Sequence, residues 1–188
     1  ISALHLKSKF QETKYLDILI NQLRKYPEVI KKLIIFDVKI ETAKYIKEQI
    51  PEIQLAPSVA HSYDIERYNN AVGGTLITID ETLEHKELFN WVWLDEWDRT
   101  DRNGSVKNLY NREVFKILRE NGLKIALVTP ELHATSPNLL GGESHQDAIT
   151  RDKLETRMEE IIELKPDAIC TDYPDLVKRI IIRKYENN

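Results

Sequence analysis

No stretch of this sequence approaches the roughly 18 apolar residues that a membrane span requires, and no signal peptide opens it. A cytoplasmic location is the default expectation. There is one cysteine, Cys170, so no internal disulfide can staple the fold. Cys170 lies in the apolar run AIC with no base beside it, which reads as a packing thiol rather than a nucleophile. Neither GxGxxG nor GxxxxGK[ST] occurs, which argues against a nucleotide-binding α/β enzyme. A basic stripe is also missing. The formal net charge is -4, and the clusters KSKF (7–10) and KRIIIRK (178–184) are short and flanked by acids. They read as solvated edges, so nucleic acid is not expected as a partner. The only methionine is Met158 and residue 1 is Ile. The expectation is a chain processed, or recorded, without its N-terminal part.

What is present is 41% hydrophobic and 31% charged residues over 188 positions. That suffices for one core, and residues 1–188 read as a single domain. Short apolar runs alternate with longer amphipathic ones. Strands are expected at 2–7, 32–37, 52–59, 91–98, from 123, and at 167–172. Helices are expected over 12–31 (divided or ended by Pro27), 40–50, 63–72, 80–89, 109–122 and 150–166. TLITI at 75–79 reads equally as a short strand or a buried turn. Residues 135–149 form a Ser/Pro/Gly-bearing loop, long enough to suggest a lid. Repeated βα units imply a parallel sheet with helices outside it. An open doubly wound sheet and a closed barrel both satisfy that order.

In either architecture ligands bind at the C-terminal strand ends. Those ends read His5 and Lys7; Asp37; Ser58 and His61; Asp95, Glu96 and Asp98; Glu131 and His133; Thr171 and Asp172. Each has a bland reading: Asp37 as a helix cap, His61 as a turn residue, Thr171 and Asp172 as the anchor of the turn before Pro174. Together they point to a functional mouth. In LDEWD, Asp95 and Glu96 are candidate oxygen ligands for a hard cation, and Trp93 and Trp97 a wall for an apolar or sugar-like ligand. Glu131 and His133, two apart on an extended segment, place an acid and a base on one side.

The run DAICTDYPDLVKR resembles the closing segment of the glycerophosphodiester phosphodiesterase family, whose last barrel strand ends in Thr-Asp followed closely by Pro. The helix, Gly122 and strand LKIALVTP resemble the family's run before its seventh strand, with Val128-Thr129 where Trp-Thr is common. ALHLK resembles the third strand, usually Glu-x-Lys. Lys7 matches its phosphate-facing Lys, while His5 stands where the family has a metal-binding Glu. The resemblance implies an incomplete parallel (β/α) barrel of TIM type, approximately strands three to eight. It also implies metal-assisted hydrolysis of glycerophosphodiesters to glycerol phosphate and an alcohol. On that reading Lys7 and a divalent cation, Mg²⁺ or Ca²⁺, neutralise phosphate charge, and Thr171 and Asp172 sit beside the small-molecule diester. A neutral imidazole at His5 suits those two cations poorly. The length fits the same picture, since a TIM barrel typically needs about 250 residues. A non-catalytic barrel relative that binds a phosphorylated ligand or a protein, and an unrelated complete flavodoxin-like domain, are the alternatives.

Overall fold

The structure, a computed structural model, describes residues 1–72, 74–96, 108–129 and 150–186. Seven strand segments form its sheets: β1 (Ser2–His5), β2 (Leu33–Phe36), β3 (Gln54–Ala56), β4 (Ser58–Ala60), β5 (Trp91–Asp95), β6 (Lys124–Val128) and β7 (Ala168–Cys170). The helices are α1 (Thr13–Leu23), α2 (Pro27–Ile30), α3 (Ile40–Gln49), α4 (Ser62–Val72), α5 (Ile79–Glu84), α6 (Arg112–Glu120), α7 (Arg151–Glu163) and α8 (Pro174–Ile181). Every strand pair is parallel. The pairing orders are β1-β2-β3 and β4-β5-β6-β7.

Only Pro57 separates β3 from β4, and the side facing β5 runs straight through it. The Asn90 amide donates to Leu55 O at 3.1 Å and the Trp93 amide to Pro57 O at 3.0 Å. The opposite side changes partner at the proline. Below it, β3 pairs with β2; above it, Ile77 bridges Val59. A residue without an N–H cannot continue a ladder, so Pro57 is where one partner gives way to the next. This is what TLITI does: it supplies a single bridge and then starts a helix. Thr78 caps α5, accepting from the Glu81 amide at 3.1 Å while Glu81 accepts from the Thr78 amide at 2.8 Å. The cap is therefore Thr78.

Among the described residues the strands succeed one another in chain order with no reversal, and no switch point of the doubly wound kind occurs. The helices agree. Leu16 and Ile20 of α1, Ala43 and Ile46 of α3, Phe115 and Leu118 of α6, and Ile161 of α7 join one core with Leu33, Ile35, Leu55, Val59, Val92, Leu94, Ile125 and Leu127. Those strand residues share one face by alternation. The other face gathers Ile34, Ala56, Trp91, Trp93 and Ala126, with Phe36, Val128 and Ala168 against them. Helices thus pack on one face, and the second face packs on itself. Among the described residues no strand joins β7 to β1, and no closed barrel is formed. Both are edge strands. All four β1 residues are exposed, and so is Cys170 at the end of β7. The expected buried thiol is corrected for that reason: an edge strand leaves its tip open.

Local signals account for most boundaries. Pro27 opens α2 at its first position. Gly122 follows α6 with φ +78°. Its amide donates to Arg119 O at 2.9 Å and that of Leu123 to Leu118 O at 3.1 Å, the paired closure that needs a left-handed residue. Thr150 accepts from the Lys153 amide at 3.3 Å and caps α7. The tail, read as a solvated edge, is instead helical: Pro174 opens α8, which buries Leu176, Val177 and Ile180 against Leu154, Met158 and Ile162 of α7. No helix among the described residues is long and apolar enough to cross a membrane.

A candidate site at the strand ends

β1 ends at His5 and β2 at Phe36, which pair in register. The next residue, Asp37, has φ +66°, a left-handed conformation that Asp tolerates better than most residues. Several contacts hold it there. Gln11 Nε2 donates to Asp37 O at 2.6 Å and to Leu6 O at 2.9 Å, and Gln11 Oε1 accepts from the Lys39 amide at 2.9 Å. Thr75 Oγ1 donates to Asp37 O at 3.1 Å and also to Asp37 Oδ1. The remaining carboxylate oxygen, Oδ2, lies 2.9 Å from His5 Nε2. Asp37 therefore does not cap the helix after it; α3 starts from Lys39 with no side-chain cap. It joins β1, β2 and the segment before α5 through one carboxylate, which is 14% exposed against 36% for His5.

The aromatic rings below form a stack. His5 lies 4.6 Å from Phe36 at 24°, and Phe36 lies 3.9 Å from Trp93 at 10°. Phe36 and Trp93 come from strands on either side of β3, whose Ala56 shares their cluster. A small side chain at that position leaves room for the rings to meet. Trp93 is buried, so it floors the strand ends, whereas a wall for ligand was expected.

Tyr68 of α4 reaches the same region. Its phenol is pushed up to about 12, by burial first and then by the carboxylates of Asp95 and Asp37. A hydroxyl kept protonated beside two carboxylates is a hydrogen-bond donor through the physiological range. Gly74 makes this packing possible, since a Cβ there would meet the Tyr68 ring and Asn69 Oδ1 at 2.6 Å.

Asp95 and Glu96, expected to share a cation, part company. Successive residues of a strand face opposite sides. Asp95 follows Trp91 and Trp93 toward the self-packed face and acts on Tyr68. Glu96 turns the other way and is buried. Its Oε1 meets Arg157 Nη2 at 2.6 Å, and its Oε2 accepts from the amides of Leu109 and, at 3.1 Å, Tyr110. Tyr110 completes the network, donating toward Val128 O at 2.8 Å and Leu94 O at 3.0 Å and accepting from the Glu96 amide at 3.1 Å. Burial, then Asp95 and Glu96, raise its phenol well above the usual value. Glu96, expected as a cation ligand, is thus placed as an internal anchor with both carboxylate oxygens engaged. Among the described residues no group of three His, Cys, Asp or Glu side chains is placed to hold a metal ion. The donors present do not fit the Mg²⁺ or Ca²⁺ site expected of His5, Asp95 and Glu96.

Lys7 is exposed and opens the short turn Ser8–Phe10. Thr171 is occupied locally: its hydroxyl lies 2.8 Å from that of buried Thr129 and accepts from the Tyr173 amide at 3.0 Å. Asp172 is exposed. His61 Nδ1 accepts from the Tyr63 amide at 3.2 Å, as a turn residue does. Trp97, Asp98, Glu131, His133 and the loop 135–149 lie outside the described residues. Two hollows of about 290 and 390 Å³ sit on α7 and α8 and include no residue of the strand-end cluster. Sequence reasoning passed over Thr75, Tyr68, Gln11 and Arg157. None of them carries a local motif, and each acts on a residue far away in the chain.

Solved structures similar to this one include the following three. A candidate glycerophosphoryl diester phosphodiesterase from Silicibacter pomeroyi DSS-3 has a TM-score of 0.55 at 11% identity, over 90% of this chain and 44% of its own. A candidate glycerophosphodiester phosphodiesterase from Galdieria sulphuraria has a TM-score of 0.56 at 16% identity, over 95% and 56%. A glycerophosphoryl diester phosphodiesterase from Parabacteroides distasonis ATCC 8503 has a TM-score of 0.50 at 16% identity, over 97% and 50%. No family model and no curated protein matches the sequence.

Proposed function

We propose that this chain, whose fold is that of the glycerophosphodiester phosphodiesterases, is an arc of a parallel (β/α) barrel of TIM type, approximately its strands three to eight. Among the described residues, strands in chain order with helices packed on one face support that reading. The chain spans about half the length of the solved structures it matches. The proposed activity is hydrolysis of a glycerophosphodiester to glycerol phosphate and an alcohol. One observation carries it: on a fold of this kind, the ionisable cluster of His5, Asp37, Tyr68 and Asp95 is gathered at the C-terminal strand ends, where such folds do their chemistry.

A diester carries a negative charge that repels a nucleophile. Exposed Lys7, just beyond β1, is the proposed counter-charge. His5 is the proposed proton acceptor, and Tyr68 a neutral donor. Glu131 and His133 remain proposed acid and base, Trp97 a proposed ligand contact, and Thr171 and Asp172 the proposed far rim.

The second reading, a barrel that binds a phosphorylated ligand without cleaving it, is favoured by one finding. The carboxylate expected to hold the cation, Glu96, is committed to Arg157 and two amides. The experiment is a glycerophosphodiester incubated with the purified chain, with and without chelator, and calorimetric titration of the same compound. Release of glycerol phosphate supports the first reading. Binding heat without release supports the second, and neither result leaves both without support.

A further inference from the structure

We propose that Asp37 is a positioning residue: it fixes His5 with the proton on Nε2 and leaves Nδ1 as the ring's proton acceptor at the strand ends. An ionised carboxylate only accepts. Asp37 Oδ2 stands 2.9 Å from His5 Nε2, so that nitrogen is the donor and Nδ1 keeps the lone pair. The ring cannot turn freely to exchange the two, because it stacks on Phe36 at 4.6 Å, and Phe36 in turn on Trp93. The carboxylate cannot swing either. Thr75 holds its other oxygen, and Thr75 and Gln11 hold the carbonyl of the same residue.

This is more apparatus than a turn needs. A left-handed turn is made most cheaply by glycine. Here the position is Asp, its backbone is held from two other segments, and its side chain is directed to an imidazole 32 residues away. The same three parts, a base, a carboxylate that orients it and a clamp on the carboxylate, are what preorganised proton transfer requires.

The catalytic consequence rests on the phosphodiesterase reading above. In that step Nδ1 takes a proton from water as the water oxygen bonds to phosphorus. The P–O bond to the alcohol breaks, solvent protonates the alkoxide, and the imidazolium returns its proton to solvent. Atoms and charge balance with water as the only co-reactant.

The orientation is tested apart from activity. In ¹⁵N-histidine-labelled chain, a long-range ¹H–¹⁵N spectrum assigns the tautomer of His5, with His5→Gln identifying its signals. The expected result is an Nε2–H protected enough to be seen directly. That proton signal is lost in Asp37→Gly, which keeps the left-handed backbone easy, and weakened in Thr75→Val but restored in Thr75→Ser. An Nδ1–H tautomer, or an Nε2–H signal indifferent to Asp37→Gly, overturns the proposal. If the chain cleaves bis(p-nitrophenyl) phosphate or a glycerophosphodiester, Asp37→Asn lowers kcat by about 10- to 100-fold with little change in KM. Adding His5→Gln to it costs no more than His5→Gln alone. Full additivity of the two changes overturns the positioning role. Absence of any hydrolysis by the wild type sinks the proposed function and leaves the spectroscopic result to decide the orientation.

Discussion

Removing either end of the Glu96–Arg157 pair should cost far more than replacing both. Their side chains are 2% and 4% exposed and meet at 2.6 Å. With charge centres about 4 Å apart and an effective dielectric of about 20, the attraction is about 4 kcal/mol before desolvation is subtracted. Desolvation offsets much of it, so the pair as a whole adds little over an apolar substitute, while a single survivor is a buried charge. Glu96→Gln keeps a carbonyl oxygen for the Leu109 and Tyr110 amides, so it isolates the charge. Glu160, its neighbour one helical turn away, is 44% exposed and screened by water. The expected loss in unfolding free energy is about 3 kcal/mol for Glu96→Gln and similar for Arg157→Met. The double variant should recover most of it, with a coupling energy of about 2–3 kcal/mol. Urea titrations followed by circular dichroism, at unchanged m, measure all four corners of the cycle. A Glu96→Gln variant within about 0.5 kcal/mol of wild type, or strictly additive losses, would refute the anchor and reopen Glu96 as a ligand.

Tyr68, raised to about 12 from 10.0, makes stability depend on alkaline pH. Its folded value exceeds its unfolded one, so the contribution is full below pH 10 and lost as pH rises toward 12. Tyr68→Phe should remove that component from stability curves and delete one late phenolate signal, while leaving that of Tyr110, in an ultraviolet titration; an identical titration would show the phenol to be ordinary. Gly74→Ala sets a Cβ 2.6 Å from the Tyr68 ring, and a loss of about 1–3 kcal/mol is expected on thermal melting; no loss would mean that the ring gives way freely. His133→Ala should lower turnover of a glycerophosphodiester far more than it lowers the melting temperature. Equal losses in both would make it a structural residue.

The strands and helices were legible because their causes are local. Buried parallel strands demand short apolar runs such as KLIIFD and LKIALV, and Pro27 and Gly122 punctuate by their own backbone limits. Helices demand a wider spacing, read here from Val114, Ile117 and Leu118, although the structure buries Phe115 and leaves Ile117 exposed. Helix α8 could have been read the same way, since Pro174 at the first position and Leu176, Val177 and Ile180 on one stripe are local signals too. The choice between sheet types needed the order of strands, which no local pattern contains. The site was legible as a place and not as a set of contacts. Listing strand ends found His5, Asp37 and Asp95, yet Thr75 bonds Asp37 from 38 positions away and Arg157 reaches Glu96 across 61.

The parting of Asp95 and Glu96 has a plainer cause. Two adjacent acids on a strand look like a ligand pair in one dimension, but the pleat sends them to opposite faces. One face of this sheet carries the self-packed cluster that leads up to the strand-end site, and the other is the helix-packed core. An acid facing the core must find a buried cation, and the residue that meets Glu96 is an arginine on α7. Alternation therefore predicts, before any coordinates, that only one acid of such a pair can serve a site. The surviving candidate at the end of β5 is Asp95, in register with Ala60 and electrostatically coupled to the same Tyr68 that senses Asp37. If chemistry occurs at these strand ends, Asp95→Asn should impair it and Glu96→Gln should chiefly impair folding, a division of effects that neither composition nor motif spacing would suggest.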